Sequence, residues 1–524
     1  MLRHAVLREL PRLLVVALLA SWSWMFTEIT VPNERTRAYL AVALVDGRTL
    51  TIDGPVQRFG PVQDWATHDG HYYTDKAPGS SLLAALPYAL WRRMHPGEDI
   101  TIAALVQLLR RSVALPAGLL AFLLARALLR RRCPDPRVVD LVSFGWFLGT
   151  TAFHYSTALY GHQLVGAAFL GALWLFDLAE DSPSAARRRL ALLAAGALTG
   201  FAELLEYQAA IGCVALALYV FIRHARRDLP GLLLFVLGVL PSVALFAWYH
   251  QRAFGGPLEL SYHHLVSPEV QALHRSGVGG VALPTREGAL GVTLSLHRGL
   301  LPTCPLVALL PVGLVALYRR GERALAVLLG GAFGLYVFMV AGAGAWYGGW
   351  SFGPRLLVPA LALAVVPLGD AVRVCLPRPG ALGIALGLAS AGVLTNQAVH
   401  AFFPELPEDL PNPLLDALVP LWRAGLVSPN LAMLRGLSPD TRTVLPLAVM
   451  VLLVIVYMVV GSLKGVPWRG RLLAGSALLL VLGAAAAAPL KVGPTRTPEQ
   501  TRDFVELVRF FRSREPPPAP PRPL

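Results

Sequence analysis

The chain has 524 residues, 55% of them hydrophobic and only 15% charged, with a mean hydropathy of +0.56. No water-soluble surface can be built from that composition, so the chain reads as an all-α polytopic membrane protein. Its formal charge of +14 falls in Arg clusters between apolar stretches and not on one basic face, so membrane topology accounts for the charge and nucleic acid is excluded as a partner. Cys133, Cys213, Cys304 and Cys375 are scattered without metal-ligand spacing and indicate neither a disulfide framework nor a metal cluster.

A helix crossing a hydrocarbon core of about 30 Å needs around twenty mostly apolar residues. With Arg3, Arg8 and Arg12 taken as cytoplasmic, the first span covers 13–29. It is expected to remain uncleaved, since no small-residue cleavage site follows it and Trp22, Trp24 and Phe26 form an interfacial end. A polar segment follows, from Pro32-Asn33-Glu34 to Asp75-Lys76-Ala77-Pro78-Gly79. Connecting two helices needs neither that length nor so many Asp, His, Tyr, Lys and Gly residues, which points to function in this loop. The apolar stretch 80–94 is short and ends in Arg92-Arg93. It reads as a helix lying in the outer interface, because counting it as a span inverts every later basic loop.

Further spans are expected near 102–129, 138–157, 163–179, 190–205, 208–223, 230–249, 302–318, 324–343, 355–370, 380–396, 443–461 and 472–489. Every second junction is basic: Arg130-Arg131-Arg132, Arg187-Arg188-Arg189, Arg223 with Arg226-Arg227, Arg319-Arg320 with Arg323, Arg373 with Arg378, and Lys464 with Arg469 and Arg471. This alternation gives about thirteen spans, the N-terminus inside and the C-terminus outside. Residues 1–490 then form one membrane domain with outer segments 30–101, 250–301 and 397–442. The last of these is Pro-rich and reads as an irregular cap with short helices, and the tail 491–524 is Pro-rich and reads as disordered at its end.

Several motifs in this order resemble the C-type (GT-C) superfamily of polyprenol-dependent membrane glycosyltransferases, especially protein O-mannosyltransferases and aminoarabinose transferases. They are Asn33-Glu34 with Arg37 and Tyr39 after the first span, Asp75-Lys76-Ala77-Pro78-Gly79 before the interfacial helix, and Arg110-Arg111 at the second span. Phe254-Gly255-Gly256-Pro257 and the segment Trp346-Tyr347-Gly348-Gly349-Trp350-Ser351-Phe352-Gly353-Pro354-Arg355 are also similar to motifs of that group. The resemblance covers roughly residues 10–370. It implies a GT-C-like helical fold and transfer of a sugar from a polyprenyl-phosphate donor to a lipid, glycan or protein acceptor, on the extracytoplasmic face of the inner (plasma) membrane. One position departs from the pattern: the family carries an Asp-Glu pair whose first acid is regarded as catalytic, and here that position is Asn33.

The candidate site follows from the resemblance and from the residues together. Glu34 is the expected general base, since a hydroxyl or amine acceptor must lose a proton as it attacks the anomeric carbon; the bland reading is a juxtamembrane acid paired with Arg35 or Arg37. Lys76 and Arg355 sit at outer boundaries where a lipid-linked phosphate would lie, or else simply snorkel to headgroups. Asp69, Tyr73 and Asp75 offer hydrogen bonds and rings to a sugar, although Asp69-Gly70 is equally a turn pair and the tyrosines equally interface markers. Asn33, Arg37, His162, Glu206 and Tyr207 complete the expected substrate contacts, with Glu206 bordering two apolar spans. No cofactor and no metal site is expected. The competing classes are a lipid or sugar transporter or flippase, and a noncatalytic relative of the same fold.

Overall fold

The computed structural model describes residues 2–25, 31–267, 271–272, 274, 280–432, 436–438 and 440–513. The end of the first expected span (26–29), Pro439 of the cap and the terminus from 514 lie outside them. Among the described residues, nine helices are long and apolar enough to cross a membrane: Ile102–Arg132, Gly161–Glu180, Tyr207–His224, Leu229–Phe254, Arg323–Ala341, Arg355–Cys375, Pro379–Phe402, Thr441–Ser462 and Trp468–Val492. The chain is thus a multi-pass helical membrane protein. The four other expected spans coincide with helices that fall short of that measure. Pro136–Leu148 and Pro305–Arg319 are too short. Leu2–Met25 and Ala185–Leu205 are long enough but carry clustered charges, Arg8, Glu9 and Arg12 in one and Arg187, Arg188, Arg189 and Glu203 in the other.

Burial orders the helices. Residues of Arg355–Cys375 are almost all enclosed, so this helix is the axis of the bundle, whereas Trp468–Val492 leaves Leu472, Leu479 and Leu480 exposed by 62%, 67% and 75%. In a bilayer such a face meets acyl chains, so the helix is held by close packing and not by hydrophobic burial. Small residues provide that packing. Gly196 of Ala185–Leu205 and Gly238 of Leu229–Phe254 lie in one seam, where an added Cβ would meet the Phe235 carbonyl oxygen at 2.0 Å and the Leu193 carbonyl oxygen at 2.2 Å.

The basic junctions meet at one end of the bundle. Arg132 binds Asp177 and Arg131 binds Asp181, Arg188 and Arg189 share Asp228, and Arg223 binds Glu180. Arg320 donates to the Arg132 carbonyl and pairs with Asp370, which also takes Arg373. These contacts tie five junctions to one side, as alternating spans require.

At the opposite end the first polar segment folds as helix, hairpin and helix. Pro at the first helical position of Pro32–Val42 pre-sets φ, and nearly the whole helix is buried. Trp65–His68 pairs antiparallel with His71–Thr74 across Asp69 and Gly70, both at positive φ (49° and 80°), as an Asp-Gly hairpin turn demands. This hairpin is a small β element in an otherwise helical chain. Gly79–Met94 then lays Ser80, Ala84, Tyr88 and Trp91 against the protein and leaves Leu86, Leu90 and Met94 exposed. The segment Pro498–Ser513 of the tail is helical and buries Phe504 and Val508 against Phe403 and Leu421 of the cap.

Gly196→Leu forces the glycine seam apart, and overpacking of this kind costs about 1–3 kcal/mol. A drop in the thermal unfolding midpoint of the purified protein is expected, while Gly331→Leu, where nothing lies within 4 Å of the added Cβ, leaves it unchanged.

Candidate functional site

Helix Pro32–Val42 is fixed by two of its own charged side chains. Glu34 is fully buried: Arg110 Nε and the Leu159 N–H each donate to its Oε1 at 2.7 Å, and Arg110 Nη2 donates to Oε2. Arg110 opens a π turn, Arg110–Ala114, inside the helix Ile102–Arg132, and that local widening swings its guanidinium inward. Arg37, also fully buried, donates from Nε to Asn33 Oδ1 at 3.0 Å, from Nη1 to Ser80 Oγ at 2.5 Å and from Nη2 to Glu206 Oε1 at 2.6 Å. Asn33 therefore spends its carbonyl on Arg37, one turn further along the helix. Arg35, the other partner considered for Glu34, turns away to the Tyr39 hydroxyl and the Phe59 carbonyl.

Glu206 caps the junction between two spans. Its Oε1 also accepts the Gly161 N–H at 3.0 Å and lies 3.5 Å from His162 Nδ1. Burial works against its charge, but Arg37 first, then His162, Lys76 and Arg355, outweigh burial and hold the carboxyl below its usual pKa. Those four cationic or titratable groups thus surround one carboxylate. Tyr207, next in the chain, bonds His250 Nε2 at 3.0 Å and Ser261 at 3.3 Å, and Ser261 Oγ donates to the Asp75 carbonyl at 2.7 Å.

Lys76 sits between two acids, 2.7 Å from Asp75 Oδ2 and 3.0 Å from Asp64 Oδ2. Its backbone is tied to helix Pro32–Val42 through Thr74, whose hydroxyl accepts the Lys76 N–H and meets Thr36 Oγ1 at 2.9 Å. Asp75 is 3% exposed, and its Oδ1 meets no donor among the described residues. Burial raises its pKa to about 6, against the pull of Lys76 and with the push of Asp64.

Two guanidinium groups stand differently. Arg355 lies 5.6 Å from the Tyr160 ring centroid, its Nε is buried without an acceptor, and it has no carboxylate partner among the described residues. Arg298, 2% exposed, reaches only the Ser351 and Gly349 carbonyls and the Ser351 hydroxyl, at 2.6, 2.7 and 2.8 Å. Burial first lowers the Arg298 pKa to about 10, the neighbouring Tyr155 partly restores it, and repulsion from Arg355 adds to the fall. The 346–355 segment shapes both. Gly353 has φ +64°, and a Cβ there would meet Thr151 Cγ2 at 2.4 Å, so only glycine lets Pro354 and Arg355 approach this closely.

Glu34, Asn33, Arg37, Asp75, Lys76, His162, Glu206, Tyr207 and Arg355 thus belong to one connected cluster. Asp69 and Tyr73 stand apart from it. The Asp69 side chain is 84% exposed at the hairpin tip, and Tyr73 packs on Phe254 at 5.4 Å within an aromatic cluster with Tyr39 and Tyr249. Glu34, expected as the base, is the buried counter-ion of Arg110, a residue that the sequence supplied only as part of a motif. Arg298, Asp64 and the buried acid Glu405 went unnoticed. One signal was available for Arg298, as for Arg110 and Arg355: an Arg at a span end opposite the basic junctions runs against the charge bias of membrane proteins. Among the described residues, no three His, Cys, Asp or Glu side chains are grouped to hold a metal ion.

Removing one partner of a buried pair leaves an uncompensated charge, so Arg110→Met is expected to cost about 3–5 kcal/mol, and Arg110→Met with Glu34→Leu to recover most of it. Thermal unfolding of the single and double variants checks this. Full recovery marks the pair as a structural clamp; no recovery means that the Leu159 N–H, which the double variant leaves without its acceptor, carries the cost.

No protein-family model matches the sequence, and no curated protein matches it. Among solved structures, ArnT from Cupriavidus metallidurans in the apo state is similar in fold, at 14% identity, over 91% of this chain and 78% of that one, with a TM-score of 0.50. The same protein bound to undecaprenyl phosphate aligns over 96% of this chain and 87% of its own, with 14% identity and a TM-score of 0.47. The Archaeoglobus fulgidus oligosaccharyltransferase, in complex with Zn and sulfate, aligns over 79% of this chain and 55% of its own, with 15% identity and a TM-score of 0.42. At 14% identity the similarity to apo ArnT shows a shared fold, that of a multi-pass helical membrane protein.

Proposed function

We propose that the chain is a membrane glycosyltransferase that moves a sugar from a polyprenyl-phosphate donor to a lipid, glycan or protein acceptor. The observation that carries this reading is the pair of guanidinium groups of Arg298, which is buried, and Arg355, which is half-buried with its Nε enclosed; they are near enough to repel each other, and neither has a carboxylate partner among the described residues. A buried cation is costly unless an anion meets it, and a phosphate held by two guanidinium forks meets both. Lys76 adds a third positive group across Glu206. As the bond from the anomeric carbon to the phosphate oxygen breaks, negative charge grows on the departing polyprenyl phosphate, and fixed cations in a site with little water lower that barrier.

The acceptor's proton needs a base. Glu34 already accepts from three donors, whereas Asp75 has a free oxygen and a pKa raised to about 6, so its carboxylate is both ionised at neutral pH and basic enough to take the proton. We therefore assign the base to Asp75 and give Glu34 the task of holding Arg110 and helix Pro32–Val42. In a single displacement the acceptor oxygen or nitrogen forms its bond to the anomeric carbon, its proton passes to Asp75, and the configuration at that carbon inverts. The positive-inside pattern supports a cytoplasmic N-terminus in a bacterial inner membrane and an extracytoplasmic site.

Asp75→Asn is expected to lower transfer by about 10²–10⁴-fold while leaving donor binding near normal, and the wild-type rate should fall as pH drops below about 6, where Asp75 gains its proton. Transfer from labelled polyprenyl-phosphate sugars by the purified protein in lipid checks both. An active Asp75→Asn with a dead Glu34→Gln, in a protein shown to be folded, returns the base to Glu34. Movement of lipid across vesicles without transfer marks a flippase instead.

In the same assay Lys76→Ala should weaken donor binding, with Lys76→Arg restoring it in part because a planar fork does not replace a compact ammonium. Unchanged binding and turnover in Lys76→Ala would reduce the residue to an anchor of Asp75 and Asp64.

A further inference from the structure

Next to the two guanidinium groups that lack a carboxylate partner lies a set of buried polar atoms that the reading above does not use. Glu405, fully buried just past the helix Pro379–Phe402, has no hydrogen-bond donor for either carboxyl oxygen among the described residues, and His154 Nε2 lies 3.9 Å from its Oε1. Both ring nitrogens of His154 and of His400, and the Tyr160 hydroxyl, are likewise buried and without partners. The groups are contiguous. The His154 and His400 rings are 5.2 Å apart, Tyr155 stands edge-on between His154 and Tyr160 with ring centroids 4.6 and 5.2 Å from theirs, and Tyr160 lies under Arg355.

Buried polar groups in folded proteins are almost always satisfied, so a wall of unsatisfied donors and acceptors marks a place that receives polar matter from elsewhere. The chemistry of this wall is specific. Burial first, and then the nearby Glu34, raise the Glu405 carboxyl to about 8 against the pull of Arg110, Arg355 and Arg298, so at neutral pH it is uncharged and offers one O–H and an acceptor oxygen. Imidazole nitrogens and a phenol hydroxyl have the same dual character, and tyrosine rings add faces for C–H groups. An uncharged, mixed donor and acceptor surface with aromatic faces fits the hydroxyls and ring of a neutral sugar and does not fit an ion. Arg298 and Arg355 adjoin it, and in a polyprenyl-phosphate sugar the ring is joined to the phosphate through a single oxygen.

We propose that His154, Tyr160, His400 and Glu405 form the subsite for the glycosyl group of the donor, a neutral polyhydroxylated ring, beside the phosphate position at Arg298 and Arg355. The proposal rests on the glycosyltransferase reading and extends it to the class of sugar recognised.

The test measures binding of polyprenyl phosphate alone and of the same phosphate carrying hexoses or pentoses, to the full-length protein in lipid nanodiscs. Wild type should bind at least one neutral glycosyl donor more tightly than the bare phosphate. Glu405→Ala and His400→Phe should each lose about tenfold of that preference, roughly one hydrogen bond to a ligand, with bare-phosphate binding unchanged as the check on folding. Glu405→Gln, which keeps an uncharged donor and acceptor, should retain most of it. Variants that keep the full preference overturn the subsite, as does a wild type that binds bare phosphate and every glycosyl donor equally. A wild type that binds neither phosphate nor donor overturns the glycosyltransferase reading and the subsite with it.

Discussion

The buried ion pair of Glu34 and Arg110 is the constraint on which the half of the structure opposite the basic junctions depends. It joins three separate parts of the chain, because Glu34 begins the helix after the first span, Arg110 sits in the π turn of the second, and the Leu159 N–H that completes the carboxylate belongs to the turn before Gly161–Glu180. A pair with no solvent contact tolerates little motion, since separating the charges exposes each to a medium that cannot screen it. Helix Pro32–Val42 is therefore set at a fixed depth, and Arg37, one turn beyond Glu34, is carried to Glu206 and Ser80.

From that helix the remaining charges follow in sequence. Thr36 and Thr74 bind the hairpin to the helix, the hairpin places Asp75 and Lys76, and Ser261 of the 250–301 segment braces the Asp75 carbonyl and is itself held by Tyr207. The acids Glu34, Asp64, Asp75 and Glu206 are each matched to Arg110, Lys76 or Arg37. Arg298 and Arg355 lie outside this matching, held instead by carbonyls and aromatic rings of the 346–355 segment and its surroundings. A carbonyl cradle orients a guanidinium without neutralising it, which preserves its charge for an anion.

The two ends of the bundle thus use charge differently. At the basic end five of the six junctions pair Arg with Asp or Glu, mostly across neighbouring helices, and lock the spans in register. At the other end pairing is incomplete, and the groups left unmatched include the guanidinium groups of Arg298 and Arg355, one oxygen of Asp75, and the side chains of His154, His400 and Glu405. Matched and unmatched charge are in this way divided between the two ends of one helical scaffold, with the enclosed helix Arg355–Cys375 running between them.

Composition and spacing alone determined the membrane class, the order of the helices and the end at which the loop chemistry collects, because apolar length and Arg alternation are local properties of a chain in a bilayer. The Asp69-Gly70 turn was legible for the same reason, since positive φ is a demand of two residues and not of a fold. Four of the expected spans fell short as isolated helices, Pro136–Leu148 and Pro305–Arg319 by length and Leu2–Met25 and Ala185–Leu205 by their charges, and sequence patterning had no means to weigh that against the packing around them. Partner choice was illegible altogether. Nothing near Glu34 in sequence announces Arg110, 76 positions away, and nothing near Asn33 announces that Arg37 one turn on will take its carbonyl and leave its own last fork to Glu206. Which acid is clamped and which keeps a free oxygen, Glu34 or Asp75, is set by distances between elements remote in the chain. Only the tertiary structure decides it, because the energy of a charge depends on what surrounds it in space.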